Sequence, residues 1–506
     1  MTVTNGGSGA VSSSGMASPT TAAGHGVVET AHEAEGRRCL LQRAHPTLAM
    51  LAAPGAGART LNRRAAVRTA LAQNPRIAAA RAEEAVLQAQ RRQVDAARWP
   101  IVTLDAGVGP SLQATLVPGT TAQSFEQQYG SLKLSDLSAA FVGNLSVIQP
   151  LYTFGKIATR QEATAHGLRA REAQTRMERA DVAFEVARIY EGYLLSRDAD
   201  RFLAETIHWL ESTLESTQDR LTQGAAGVTE RDVLRLQSGM GLAWIGLNQA
   251  RASEAQATAG LAAYLGLPAG ESIATAEEEL VPVGRVPSDF ASLATLAKQR
   301  RPEIVALREG EMALGALARG EAAGFLPDLF AMAFVSAAHT PGRDWIQTRF
   351  VIDPLNHFVP GLFVGLRWQF QGDTAKARAQ EQLARAEVLR HMGRWADLGI
   401  PAEVRRAYED VVRAVKDIER GTEAVGKAKK WMVQASADYS IGFLDVREVS
   451  DAVEAYVTLR TGLMKARFDH NVAMASLSRA TGTLDGDSDL FYLAPPDART
   501  QLEVQP

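Results

Sequence analysis

The chain holds a single cysteine, Cys39, so it contains neither an internal disulfide framework nor a cysteine-built metal centre. Its nine histidines are scattered and do not pair at ligand spacing, so no metal site is expected. Nowhere do 18 apolar residues follow one another, which excludes an inner-membrane helical transporter. Charge of one sign is also missing. Lys and Arg number 54 against 57 Asp and Glu, for a net charge of −3, and the two signs are interspersed. No basic face for nucleic acid results. Proline is absent between Pro150 and Pro268. With 46% hydrophobic residues the 506-residue chain is well able to fold.

The proline-free stretch is the organising element. From Gly155-Lys156 to Thr222 the sequence reads as one helix of roughly 100 Å at 1.5 Å per residue. A 4-3 ladder runs along its second half through Val182, Val186, Ile189, Tyr193, Ser196 and Asp200 and on to Leu221. A seam so narrow and regular packs against other helices in coiled-coil fashion.

Taken in order, residues 1–60 form a Gly/Ser/Thr/Ala-rich region expected to be disordered. Arg37-Arg38, the following Cys39-Leu-Leu and the small residues at 52–58 have the outline of a signal peptide, spoiled in its middle by Gln42, Arg43 and His45. Residues 61–285 form a first unit: a helix up to Arg98 whose main part opens at Asn74-Pro75, alternating strands at 101–109 and 140–149, helices at 155–222 and 229–265, and a proline-containing connector. Residues 286–484 form a second, with strands at 328–337 and 361–371 and helices at 372–440 and 445–482. An acidic tail, 485–506, is expected to be mobile.

The two units are copies. Arg301-Pro302-Glu-Ile answers Asn74-Pro75-Arg-Ile. The ladder Ala452, Tyr456, Leu459, Leu463, Ala466, His470, Ala473, Leu477, Ala480 falls, 216 positions earlier, rung by rung on Leu236 to Tyr264. Even the polar breaks coincide, His470 on Glu254. This is an internal duplication.

Each copy supplies two strands with one apolar and one small or polar face, lengths and patterns that suit a bilayer crossing. Four strands cannot close a barrel, and an open edge in lipid leaves backbone groups unpaired. Three chains with twelve strands would close. The fold class expected is therefore mainly α with four β-strands, internally duplicated.

The plan of helix, strand, strand, long helix and helix, used twice over residues 61–484, resembles the TolC-like outer membrane efflux proteins of Gram-negative bacteria. So do Gln149-Pro-Leu-Tyr-Thr-Phe-Gly-Lys156 and Tyr439-Ser-Ile-Gly442 followed by Glu448 and Asp451. The resemblance implies a homotrimer with a 12-stranded transmembrane β-barrel in outer-membrane lipid and a periplasmic α-barrel of long coiled-coil helices. It implies a passive exit duct of a tripartite efflux or type I secretion system. The partners would be a periplasmic adaptor and an inner-membrane pump, with no cofactor and no enzymatic activity.

By the same resemblance Tyr439 and Gly442 match the constriction at the periplasmic tip, with Tyr439 holding the closed state by hydrogen bonding. Glu448 and Asp451 match acidic positions that ring the aperture, and Asp232 matches an acidic position on the other hairpin. Leu444 departs from the family, which often has a basic or polar locking residue there. Carboxylate runs at Glu83-Glu84 and Glu277-Glu278-Glu279 lie in charged helix or connector with no nucleophile beside them and do not read as catalytic. His470 on its Ala/Leu seam reads as a packed histidine. The competing reading is a soluble or periplasmic coiled-coil scaffold or adaptor; an adaptor would need one hairpin flanked by β-rich modules, whereas two equivalent hairpins are present.

Overall fold

The computed structural model describes residues 59–113, 137–225, 227–268, 273–284, 286–287, 289–345, 352–370, 372–484, 489 and 491–493. The N-terminal region through Ala58, with Cys39 and the signal-like outline, lies outside the described residues.

The chain order is β1 (Arg59–Leu61), α1 (Arg63–Gln73), α2 (Pro75–Ala96), β2 (Ile101–Leu112), β3 (Leu137–Tyr152), α3 (Lys156–Thr222), α4 (Glu230–Leu265) and β4 (Ile273–Thr275). Then come α5 (Phe290–Arg300), α6 (Pro302–Ala322), β5 (Asp328–His339), β6 (His357–Arg367), α7 (Thr374–Ser440) and α8 (Val446–Ala480). The helices α3 and α7 are each 67 residues long. Asn74 caps α2 through its side chain, and Pro75 starts it where a missing N–H costs nothing. Pro401 sits inside α7 without ending it.

Four strands form one antiparallel sheet in the order β2-β3-β5-β6, so β2 and β6 are its edges. The register puts alternate residues of all four strands on common faces. One face is largely apolar, with Leu104 opposite Leu145, Leu145 opposite Val335 and Ala333 opposite Leu362, and carries Gln149 and His339 near its two ends. The other is mixed, with Asp105 opposite Asn144 and Asn144 opposite Ser336.

The last strand lies earlier in the chain than the alternation to Phe370 suggests. It begins at His357, runs through Pro360 and ends at Arg367. Proline is tolerated because β6 is an edge strand with one side of its ladder free. Beyond Arg367 the indole of Trp368 donates to the Phe325 carbonyl at 3.0 Å, and the Phe370 ring meets Phe325 edge-on at 5.9 Å. Aromatic contacts with the end of α6, not ladder bonds, thus account for the apolar residues after the strand.

Nearer the sheet α3 packs against α2 and α6, and α6 against α7; farther from it α3 packs against α4 and α8, and α8 against α7. The ladder read along α3 is the buried seam, with Val182, Val186, Leu203 and Ile207 all buried.

Where these layers meet lies a buried polar centre. Glu191, fully buried on α3, accepts from the Arg63 guanidinium at 2.5 and 3.2 Å, from the Asn471 amide at 2.8 Å and from the Tyr492 hydroxyl at 2.7 Å. Burial works against the Arg63 charge, but Glu191 more than offsets it and holds the guanidinium protonated. Burial first, and then the Glu191 charge, push the Tyr492 hydroxyl well above its ordinary range. Beside them His470 is depressed by burial, its Nδ1 3.2 Å from the Asn471 side-chain oxygen.

Tyr492 belongs to the segment expected to be a mobile tail. Its described residues are instead docked. Phe491, Tyr492 and Leu493 are buried, the Asp489 carboxylate accepts from Ser478 at 2.8 Å, and Arg64 donates to the Leu493 carbonyl at 2.8 Å. Acidic composition suggests solvation, yet two aromatic side chains supply enough apolar area to outweigh the ordering entropy of a short segment.

Candidate functional site

The tip of the two helical hairpins carries the residues singled out above. Thr217, fully buried near the end of α3, donates its hydroxyl hydrogen to the Thr213 carbonyl at 2.7 Å. It therefore receives the hydrogen of the Tyr439 hydroxyl, 2.8 Å away on α7. One turn further along α3, Arg220 lays its guanidinium 4.7 Å from the centre of the Tyr439 ring and donates to the Tyr439 carbonyl at 2.9 Å. The same carbonyl accepts from the Gly442 N–H at 3.0 Å, closing the end of α7. Gly442 has φ +83°, a left-handed value that a side chain would strain. Tyr439 and Gly442 are thus brought together by helix-end geometry and pinned from the other hairpin.

Thr217 and Arg220 did not stand out in the sequence. The available signal was their spacing: three residues apart, they present hydroxyl and guanidinium on one face of a helix end. Leu444 is half-buried against the apolar cluster that includes Val446 and Val449. The cation beside this turn is Arg220.

Glu448 and Asp451 lie one turn apart on α8, both exposed. Glu448 sits in the first turn, where the helix dipole favours an anion, and accepts from the Trp431 indole at 3.2 Å. Asp451 stands 3.8 Å from Arg447 on the same helix. Asp232 is engaged differently. Its carboxylate accepts from the Thr229 N–H and hydroxyl, both at 2.8 Å, and so builds the N-terminal cap of α4. No hydrogen bond or ion pair links Asp232 to Glu448 or Asp451 among the described residues.

No helix among the described residues is long and apolar enough to cross a membrane, a statement that leaves strands aside. Nor do the described residues hold a group of three His, Cys, Asp or Glu side chains fit for a metal.

A four-stranded sheet with one largely apolar face and two unpaired edges, continued by two 67-residue helices, is the arrangement to set beside known proteins. Residues 66–267 match the family model described as outer membrane efflux protein. The match covers the first copy of the duplication, to which the second is related by the offset of 216.

Among solved structures the chain is similar to the MtrE outer membrane channel of Neisseria gonorrhoeae in its open state, at 17% identity and a TM-score of 0.68 over 84% of this chain and 90% of that one. It is similar to the outer membrane protein VceC of Vibrio cholerae, at 18% identity and 0.66 over 82% and 95%. The CmeC outer membrane channel of Campylobacter jejuni gives 14% and 0.66 over 87% and 91%. Identities this low establish the fold. No curated protein matches the chain.

Proposed function

We propose that three copies of this chain join edge to edge, β6 of one against β2 of the next, into a closed 12-stranded barrel continued by a helical tunnel. The observation that carries this is a largely apolar sheet face lying between two unpaired edges. In lipid those edges would leave backbone groups without partners, and closure by identical neighbours removes the cost. Exposed apolar side chains on α7, among them Leu383, Trp395 and Leu398, would be covered by the next copy.

The assembly would be a passive exit duct, with no reaction of its own, serving tripartite efflux or type I secretion. A periplasmic adaptor and an inner-membrane pump would supply cargo and drive. Its periplasmic mouth would be gated at Tyr439 and Gly442. Opening requires α7 to leave α3, which breaks the Thr217–Tyr439 and Arg220–Tyr439 bonds. Glu448 and Asp451 in three copies would ring the mouth with negative charge, attracting cations and repelling anions by Coulomb focusing. Asp232 would add its charge from the neighbouring hairpin while holding its cap.

Fractionation tests the reading. A trimer that resists heating in detergent extracts of the outer membrane is the expected result, and a monomer in the soluble fraction would overturn it.

A further inference from the structure

The mixed face of the sheet contains a group of side chains that a merely water-lined pore does not need. Phe330 and Phe334 on β5 and Phe363 on β6 lie on this face, Phe330 opposite Gly365 and Phe334 opposite Gly361. The Phe363 ring stands edge-on to both, its centre 6.4 Å from that of Phe330 and 6.2 Å from that of Phe334. The two glycines are what let the rings lie across the strand. A Cβ added at Gly365 would come within 2.6 Å of the Phe330 ring, and one at Gly361 would collide with Phe334. No helix packs over the sheet among the described residues, so these rings belong to no core. Phe363 remains 44% exposed.

The chain itself indicates what such a surface accepts. The Arg367 guanidinium rests 5.3 Å from the centre of the Phe330 ring, an internal cation already seated on the cluster. One rung to the other side, Asp105 lies level with Asn144 and Ser336, which bond to each other at 2.7 Å. Rings with negative faces, with a carboxylate two strands away on the same face, suit a ligand that is both aromatic and positively charged.

We propose that this patch is a transient station for aromatic cations inside the pore, and so sets a preference of the duct itself for that class of cargo. The proposal rests on the duct reading, in which the mixed face lines the water-filled passage. Three copies would place three such stations at one level of the barrel, each weak enough to release what it holds. Binding displaces Arg367 from Phe330 and stacks the cargo ring in its place.

The test uses the full chain as trimers in planar bilayers, with tetraphenylphosphonium compared against tetraethylammonium, ions of equal charge of which only one is aromatic. Blocking events by the aromatic ion are expected to last about two- to five-fold longer. The triple variant Phe330→Leu, Phe334→Leu, Phe363→Leu keeps apolar bulk and should lower that ratio by the same factor with the potassium chloride conductance retained. Arg367→Gln, which frees the Phe330 face, should raise the ratio, and it serves on its own if the triple variant does not insert. Equal ratios in wild type and variants would overturn the proposal while leaving the duct standing. Absence of any conductance by the trimer would remove the duct and the station with it.

Discussion

The hydroxyl of Tyr439 donates to that of Thr217 at 2.8 Å, and this bond ties the end of one 67-residue helix to the end of the other. Tyr439→Phe deletes it without changing shape, at a cost of about 1 kcal/mol per chain. Single-channel recordings should show more frequent or larger openings. Thr217→Val should act alike, and the double variant should add little, since both remove one bond. Unchanged conductance in both would end the gating role of Tyr439.

Glu448 and Asp451 are exposed and spaced one turn apart on α8. Glu448→Ala with Asp451→Ala should weaken block of the current by multivalent cations while leaving thermal stability within about 0.5 kcal/mol, as for other surface substitutions. Block of undiminished strength would remove the acidic-ring assignment.

Glu191 holds three partners in a site closed to water. Glu191→Ala leaves the buried Arg63 guanidinium to Glu277, 3.1 Å away, removes the acceptor of Asn471 and Tyr492, and should cost about 3–5 kcal/mol. Tyr492→Phe removes one bond to a charged group, about 1.5–3 kcal/mol. Thermal dissociation of the assembly, followed by gel mobility, should rank wild type above Tyr492→Phe and that above Glu191→Ala; the reverse order of the two variants would refute the centrality of Glu191.

His470 is only 2% exposed, and burial depresses its pKa below the ordinary 6.5. The folded state thus resists a proton that the unfolded chain accepts. Stability from this group is complete above the unfolded pKa and is lost as pH falls from there toward the folded value. His470→Gln should flatten that part of the profile, so the difference between the two melting curves should shrink or reverse as the medium is acidified from pH 7. Parallel curves would show that His470 does not titrate on unfolding.

Much of this architecture could be read from residues alone because it is periodic. The seam of α3 through Val186, Leu203 and Ile207, and the offset linking Ala452–Ala480 to Leu236–Tyr264, depend on repeating spacings that any packing partner would respect. Strand ends were less legible. Trp368 and Phe370 continue the alternation of β6 but turn to Phe325, a choice set by contacts distant in sequence. The three-residue parallel pairing of Arg59–Leu61 with Ile273–Thr275 is too short to leave a pattern. At the tip, Tyr439 and Gly442 carry a recognisable motif, whereas Arg220 is an ordinary basic residue until folding sets it on the Tyr439 ring.

The position of Tyr492 bears on how the protein is made. The carboxylate it completes lies 301 residues earlier, on the first long helix. The buried carboxylate on the first long helix is therefore completed only by a residue made 301 positions later. Consolidation of that centre then awaits the segment around Tyr492, and a change to this segment is felt beside the first long helix and not only in its own surroundings.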